Sequence, residues 1–359
     1  MNPRLTLTLA AALALPAVLS AHTDFPLPIG QVSATPLPAA PLGSGNFRFD
    51  VQAGWAKLPA KVSLGPTHGG VGVDKAGNIY VSSDGPEGIL VFDKSGNYLR
   101  GLAPELSGIH GFIIREEKGQ EFIYAAHVKG PAAVKIDLTG KVLWKITVPK
   151  ESGFYDEPKD QPADPKKKRS AQAFRPTAVA VGPDGRIYVA DGYGASVIHV
   201  FSADQQKYLK TIGTKGEGEN QFKTCHGIAL DTRFGAPRLL VADRENRRLV
   251  HLDLEGKWLG VVTTGLRRPC AVSIQGDNVA VAELEGRVVI IDKAGQIAAT
   301  LGDNPDQKQW AAFKLEPEHW KDGIFIAPHG LSWDKDGNLF VQDWNFAGRF
   351  TKLQRSAKK

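Results

Sequence analysis

Methionine and cysteine are almost missing from this chain. Its 359 residues hold one methionine, Met1, and two cysteines, Cys225 and Cys270. Without further methionine the folded protein offers no thioether ligand for a soft metal such as Cu(I). Two cysteines exclude a disulfide framework, so stability must come from a buried core. A single bridge between neighbouring repeats remains open to them, but the expectation is two buried thiols. Long apolar runs are also absent: the longest, residues 5–19, is short against the roughly 20 residues of a membrane span. No aromatic and basic pattern recurs of the kind that single-strand binding requires, so nucleic acid is not an expected partner. The net charge of +6 owes much to residues 166–169 and the tail 352–359, read as a solvated loop and tail. No amphipathic helical period is visible.

What is present begins with a targeting segment. Arg4, the apolar stretch 5–19 and the small residues Ser20 and Ala21 give residues 1–21 the form of a secretory signal peptide. No twin arginine precedes it, and His22 stands where a lipidated cysteine would be. The expected product is exported, periplasmic or secreted, with no stable membrane span. Residues 22–45 form a Pro-rich leader, expected to be extended and mobile. Residues 46–359 are expected to form one domain, whose strand at 47–52 could complete the last repeat and close a ring.

That domain repeats. Asp74-Lys75-Ala76-Gly77-Asn78, Pro183-Asp184-Gly185-Arg186, Gln275-Gly276-Asp277-Asn278 and Asp334-Lys335-Asp336-Gly337-Asn338 each join two short strands through a glycine able to take φ > 0. A second turn follows at Asp93, Asp137, Asp253 and Asp292. Four short strands with two turns per unit make a propeller blade, and the fold class is all-β, a six-bladed β-propeller. Aligned on the first turn, the blades open with Gly69-Gly70-Val71, His110-Gly111-Phe112, Thr177-Ala178-Val179, His226-Gly227-Ile228, Cys270-Ala271-Val272 and His329-Gly330-Leu331. Blades two, four and six stand ~120° apart in a six-fold ring, so His110, His226 and His329 should converge on the axis. Three imidazoles with an open fourth position suit a catalytic zinc. The competing reading of each histidine is structural, a strand-entry residue bonded to backbone. Cys270 is a possible extra ligand or a small buried filler, and His68, one residue out of register, is expected to leave the inner set and remains a candidate to support a ligand or touch the substrate. Asp191, Asp243, Glu283 and Asp343 recur at strand ends, where they should cap backbone donors. Two insertions interrupt the ring: a polar one at 151–173, read as a flexible loop, and one at 303–321 carrying Trp310 and Trp320, expected to be ordered over one face.

The run Thr211-Ile212-Gly213-Thr214-Lys215-Gly216-Glu217-Gly218, then Gln221-Phe222 and His226-Gly227-Ile228-Ala229-Leu230-Asp231, resembles an NHL repeat. Val189-Ala190-Asp191-Gly192-Tyr193, residues 222–231 and Val241-Ala242-Asp243-Arg244-Glu245-Asn246 further resemble peptidyl-α-hydroxyglycine α-amidating lyase. The resemblance implies zinc on His110, His226 and His329. It also implies Tyr193 as the catalytic base and Arg244 as part of the Asp-Arg-Glu-Asn run. A calcium deeper in the channel is also implied, with no ligands assignable. The family arginine that holds the substrate carboxylate is missing: blade one reads Val81-Ser82-Ser83-Asp84-Gly85. Arg175, Arg244, Arg267 and Arg268 are candidates to replace it. The family's disulfide cysteines are missing too.

The implied activity is cleavage of a carbinolamide C–N bond to an amide and glyoxylate. Tyrosine has an unperturbed pKa near ~10, so Tyr193 needs the electrostatic help of zinc and nearby cations to act as a base. The expected partner is a small-molecule or peptide substrate with a terminal carboxylate, taken by a monomer. No monooxygenase segment is read beside the propeller, so the hydroxylated substrate is expected to come from elsewhere. Two rival readings stand. One is a non-catalytic propeller binding a protein or glycan, with a structural or vacant metal site. The other is a metal-dependent hydrolase or lactonase, against which the all-histidine set argues.

Overall fold

A computed structural model describes residues 41–155, 173–204 and 206–357. Residues 1–21, read as a signal peptide, most of the expected leader and the basic run 166–169 lie outside the described residues. The turns show why the chain folds into short antiparallel strands. Asp74 accepts the Asn78 N–H at 2.7 Å, while Gly77, at φ 88°, donates its own N–H back to the Asp74 carbonyl at 3.0 Å. Asp93, Asp137, Asp253, Asp292 and Asp334 make the same carboxylate contact four residues ahead. A side chain that mimics a backbone turn, followed by a glycine at positive φ, reverses the chain tightly.

Among the described residues six of the resulting sheets are blades, and a seventh, two-stranded, pairs Thr214–Lys215 with Gln221–Phe222. Five blades are four-stranded meanders, opening with Val71–Val73, Ile109–Glu117, Ala178–Val181, Cys225–Asp231 and Pro269–Gln275. The sixth contains Pro328–Trp333, Leu339–Asp343 and Arg349–Arg355, and is completed from the other end of the domain. Phe47–Gln52 pairs antiparallel with Arg349–Arg355, Val51 opposite Leu353. This is the closure expected from the alternation at 47–52. A further strand, Leu42–Ser44, pairs with Phe47–Gln52, so sheet structure begins inside the stretch expected to be leader. The opening strands neighbour one another in cyclic order, Pro328–Trp333 closing against Val71–Val73.

Blades stack face to face, so their middle strands are covered on both sides and read as continuous apolar runs. Ile89–Phe92 and Ile187–Ala190 are buried at every position. Outer strands keep a solvent face and alternate, as in Val142–Ile146. Six apolar clusters fill the six gaps between neighbouring blades. A seventh joins Cys270, Leu284, Ile326 and Ala327 to Leu315 and Trp320, so the 303–321 insertion is packed down. Cys225 and Cys270 are free, buried thiols. Every helical element among the described residues is a three-residue 3₁₀ turn, and none is long and apolar enough to cross a membrane.

Candidate functional site

The first strands of blades two, four and six carry a β-bulge at their axial end. Cys225 pairs with Asp243 and Gly227 with Ala242, which leaves His226 as the extra residue. Pro328/Asp343 and Gly330/Gln342 isolate His329 in the same way, and the register also slips between Ile109 and Phe112 around His110. A bulge re-aims the side chain it frees. The glycine after each histidine follows from the same crowding. A Cβ at Gly111, Gly227 or Gly330 would stand 2.5, 2.4 or 2.2 Å from the carbonyl oxygen of Thr177, Cys270 or Gly69 in the next blade.

Two of those carbonyls orient the imidazoles. His110 Nδ1–H donates to Thr177 O at 2.6 Å, and His226 Nδ1–H donates to Cys270 O at 2.9 Å. A carbonyl can only accept, so each Nδ1 carries the proton and each Nε2 keeps its lone pair. The three rings form a near-equilateral triangle, with centroids 4.8 Å apart for His110–His226 and 4.7 Å for each pair with His329. Each residue is only 2% exposed. Burial pushes the His110 pKa down to about 3 and those of His226 and His329 well below the usual histidine value. All three are therefore neutral donors. His329 stands apart: both of its buried ring nitrogens lack a hydrogen-bond partner.

Tyr193 meets this triangle. Its hydroxyl lies 3.0 Å from His226 Nε2, 3.3 Å from His110 Nε2 and 3.3 Å from Arg244 Nη1. The guanidinium carbons of Arg244 and Arg175 lie 5.3 and 5.5 Å from its ring centre. Burial raises its pKa, and Arg244 and Arg175 offset only part of that. In the protein alone the two cations do not produce the lowered pKa expected from the sequence.

The four arginines proposed to replace the missing one separate clearly. Arg267 pairs with Asp303 at 2.6 Å and stacks on Trp310. Arg268 forks onto Glu245, which also holds Arg244. Arg244 is buried against Tyr193, whereas Arg175 is exposed and has no carboxylate partner among the described residues.

His68 departs from expectation. Its ring lies 4.9 Å from both His110 and His329, inside the cluster rather than outside it. Donor atoms of His68, His110 and His329 lie within 4.8 Å of one another, as do those of His226, Cys270 and His329. The expected trio is thus split between two groups that share His329: His110 falls with His68, and His226 with Cys270. The recurring acids do cap backbone: Asp191 accepts from Arg175 N and Ala195 N, Asp243 from Lys223 N, Glu283 from Arg267 N, and Asp343 from Ile326 N and Ala327 N. The sequence reading missed Tyr155, whose hydroxyl donates to Asp191 at 2.5 Å and also contacts His199 Nε2 at 2.7 Å.

Comparison with known proteins agrees with this architecture. Residues 180–280 match a family described as 6-bladed beta-propeller (DUF5128). Over 176 residues the chain is 28% identical to peptidyl-alpha-hydroxyglycine alpha-amidating lyase 2 of Drosophila melanogaster, covering 47% of this chain and 39% of that protein. The chain is a six-bladed β-propeller similar to an amidating lyase. The match spans about two fifths of the relative's length. Among solved structures, a streptogramin B lyase superposes with a TM-score of 0.54 at 15% identity, over 86% of this chain and 98% of that one. A gluconolactonase from Xanthomonas campestris gives 0.55 at 12% identity, over 90% and 99%. Virginiamycin B lyase from Staphylococcus aureus gives 0.52 at 14% identity, over 85% and 99%. These three likenesses concern the fold alone.

Proposed function

We propose that this propeller is an exported zinc-dependent lyase acting on an α-hydroxyglycine-type substrate to give an amide and glyoxylate. His329 carries the reading. An imidazole this buried, with neither nitrogen bonded, leaves unsatisfied polar groups that each cost roughly 1–3 kcal/mol. A cation on the axis would use that nitrogen together with the inward lone pairs of His110 and His226. The donor chemistry fits, because neutral imidazole nitrogens are ordinary zinc ligands. His110, His226 and His329 would hold the ion, which when bound supplies a dipositive charge that acidifies nearby hydroxyls. Calcium fits less well: beyond the histidines, the axial cavity of about 60 Å³ is lined by backbone, apolar side chains, Thr177 and Cys270, with no carboxylate.

The chain's own residues then have definite tasks. Arg175, exposed and without a carboxylate partner among the described residues, receives the substrate carboxylate, while Arg244 holds the Tyr193 hydroxyl from inside. Tyr193, as phenolate, takes the proton of the substrate hydroxyl. The O–H electron pair becomes the second bond of the glyoxylate carbonyl, and the C–N pair departs with nitrogen. Return of the proton from Tyr193 to that nitrogen completes the amide and restores the phenolate. The fold supports this reading because bulge, carbonyl and glycine hold the donors and the base in one place. Tyr193→Phe should keep its zinc and lose glyoxylate release from α-hydroxyhippurate by roughly 10²-fold or more. Turnover at the wild-type rate would remove Tyr193 from the chemistry. Zinc without turnover in the wild type would refute the lyase assignment.

A further inference from the structure

Blade one supplies no side chain at its ring position. A Cβ on Gly69 would stand 1.8 Å from Ser82 Oγ and 2.7 Å from the His110 carbonyl oxygen, so only glycine fits there. The residue before it, His68, occupies the axis instead. Its backbone is clamped on both sides: Thr67 exchanges N–H···O bonds with Asn345 at 2.9 and 3.1 Å, and Gly69 N donates to Gln342 Oε1 at 2.9 Å. The ring is half-buried, packed 4.6 Å from Trp344, which itself stacks 4.2 Å from Phe313 of the packed-down insertion. Its one hydrogen-bond contact among the described residues is a 3.5 Å approach of Nε2 to the Tyr193 hydroxyl. The imidazole is therefore placed by its backbone and neighbours, with its nitrogens nearly uncommitted.

Resting on the zinc reading above, we propose that His68 is a fourth imidazole donor of the axial centre, one that substrate displaces. Its donor atom lies within 4.8 Å of those of His110 and His329. Imidazoles bonded at about 2.0–2.1 Å around a tetrahedral zinc would sit roughly 3.4 Å apart, against the 4.8 Å within which these donor atoms lie here. Four imidazoles would complete a tetrahedral set, and a substrate oxygen would then take the place of one of them. His110 and His226 are fixed through Nδ1 to backbone carbonyls, and outer partners of this kind hold a ligand in place. Neither His68 nor His329 has such a partner, and of these two His68 is only half-buried whereas His329 is fully buried. His68 is the donor that yields. The centre is thus closed at rest and opens when a ligand enters.

The test is Co²⁺ loading of the purified protein, of His68→Ala and of His68→Gln, read by stoichiometry, competition affinity and visible absorption. Both variants should bind one equivalent at least tenfold more weakly, with an altered spectrum that free imidazole restores. Affinity and spectrum equal to wild type in both would overturn the assignment of His68 and leave the zinc reading standing. A sulfur-to-cobalt charge-transfer band that persists in both and vanishes in Cys270→Ala would give the position to Cys270 instead. Failure of the wild type to bind Co²⁺ or Zn²⁺ would overturn the zinc reading and this proposal with it. Retained far-UV circular dichroism in each variant separates lost ligation from lost fold.

Discussion

Replacing His329 by leucine should make the metal-free protein more stable and the metal-treated protein less so. His329 is 2% exposed, and neither ring nitrogen has a partner. Each buried polar atom left unsatisfied costs roughly 1–3 kcal/mol, and an apolar side chain of similar size carries no such cost. Loss of ring contacts with His110 and His226, at 4.7 Å each, offsets part of the gain. A net stabilisation of about 1–3 kcal/mol is expected in chelator, near 2–4 °C in Tm for each kcal/mol. Zinc should reverse the order. A ligand at a hundred times its Kd stabilises the folded state by ~2.7 kcal/mol, and only the wild type should show that rise. Differential scanning calorimetry with EDTA and with excess zinc measures both arms. If His329→Leu is less stable than wild type in EDTA, the orphaned nitrogens are not a cost and the argument from them fails.

Gly227→Ala drives a Cβ to 2.4 Å from the Cys270 carbonyl, the same oxygen that orients His226. Overpacking there should cost about 1–3 kcal/mol and weaken zinc binding, whereas Gly218→Ala, facing only the end of Gln221, should unfold within ~0.5 kcal/mol of wild type. Burial holds the His199 pKa down to about 4, so the folded state keeps this ring neutral. Its contribution is whole above the unfolded pKa of ~6.5 and falls away as pH drops from there through 4, by roughly 3 kcal/mol in all. Urea titrations from pH 7 to 4.5 should show a shallower loss in His199→Gln, and an unchanged slope would contradict it. Arg175→Ala should raise KM for α-hydroxyhippurate ~10–100-fold with little change in kcat, as expected for a lost charged hydrogen bond. An unchanged KM would move the carboxylate elsewhere.

The ring was readable because its signals are local. An Asp-x-x-Gly turn sets six of the hairpins, His-Gly marks a bulge against a neighbouring carbonyl, and the alternating 47–52 segment announces the closing strand. The acids at strand ends were legible for the same reason, each capping backbone within its own blade. His68 was misread because register counting assumes a strand, and blade one's strand starts only at Val71. Tyr155, His199 and Thr211 were invisible as a group, since their hydrogen bonds join an insertion to the middle and outer strands of the next blade. The sequence could not show how deeply Tyr193 is buried, and burial outweighs its two arginines when no ion is present. The 156–172 part of the polar insertion lies outside the described residues.

Zinc content of the purified protein and of His226→Ala, measured beside glyoxylate release from α-hydroxyhippurate, tests the central claim most directly. About one zinc per chain in the wild type is predicted, with metal and product formation lost together in the variant. A protein that releases glyoxylate without zinc, or a variant that keeps both, would contradict the account.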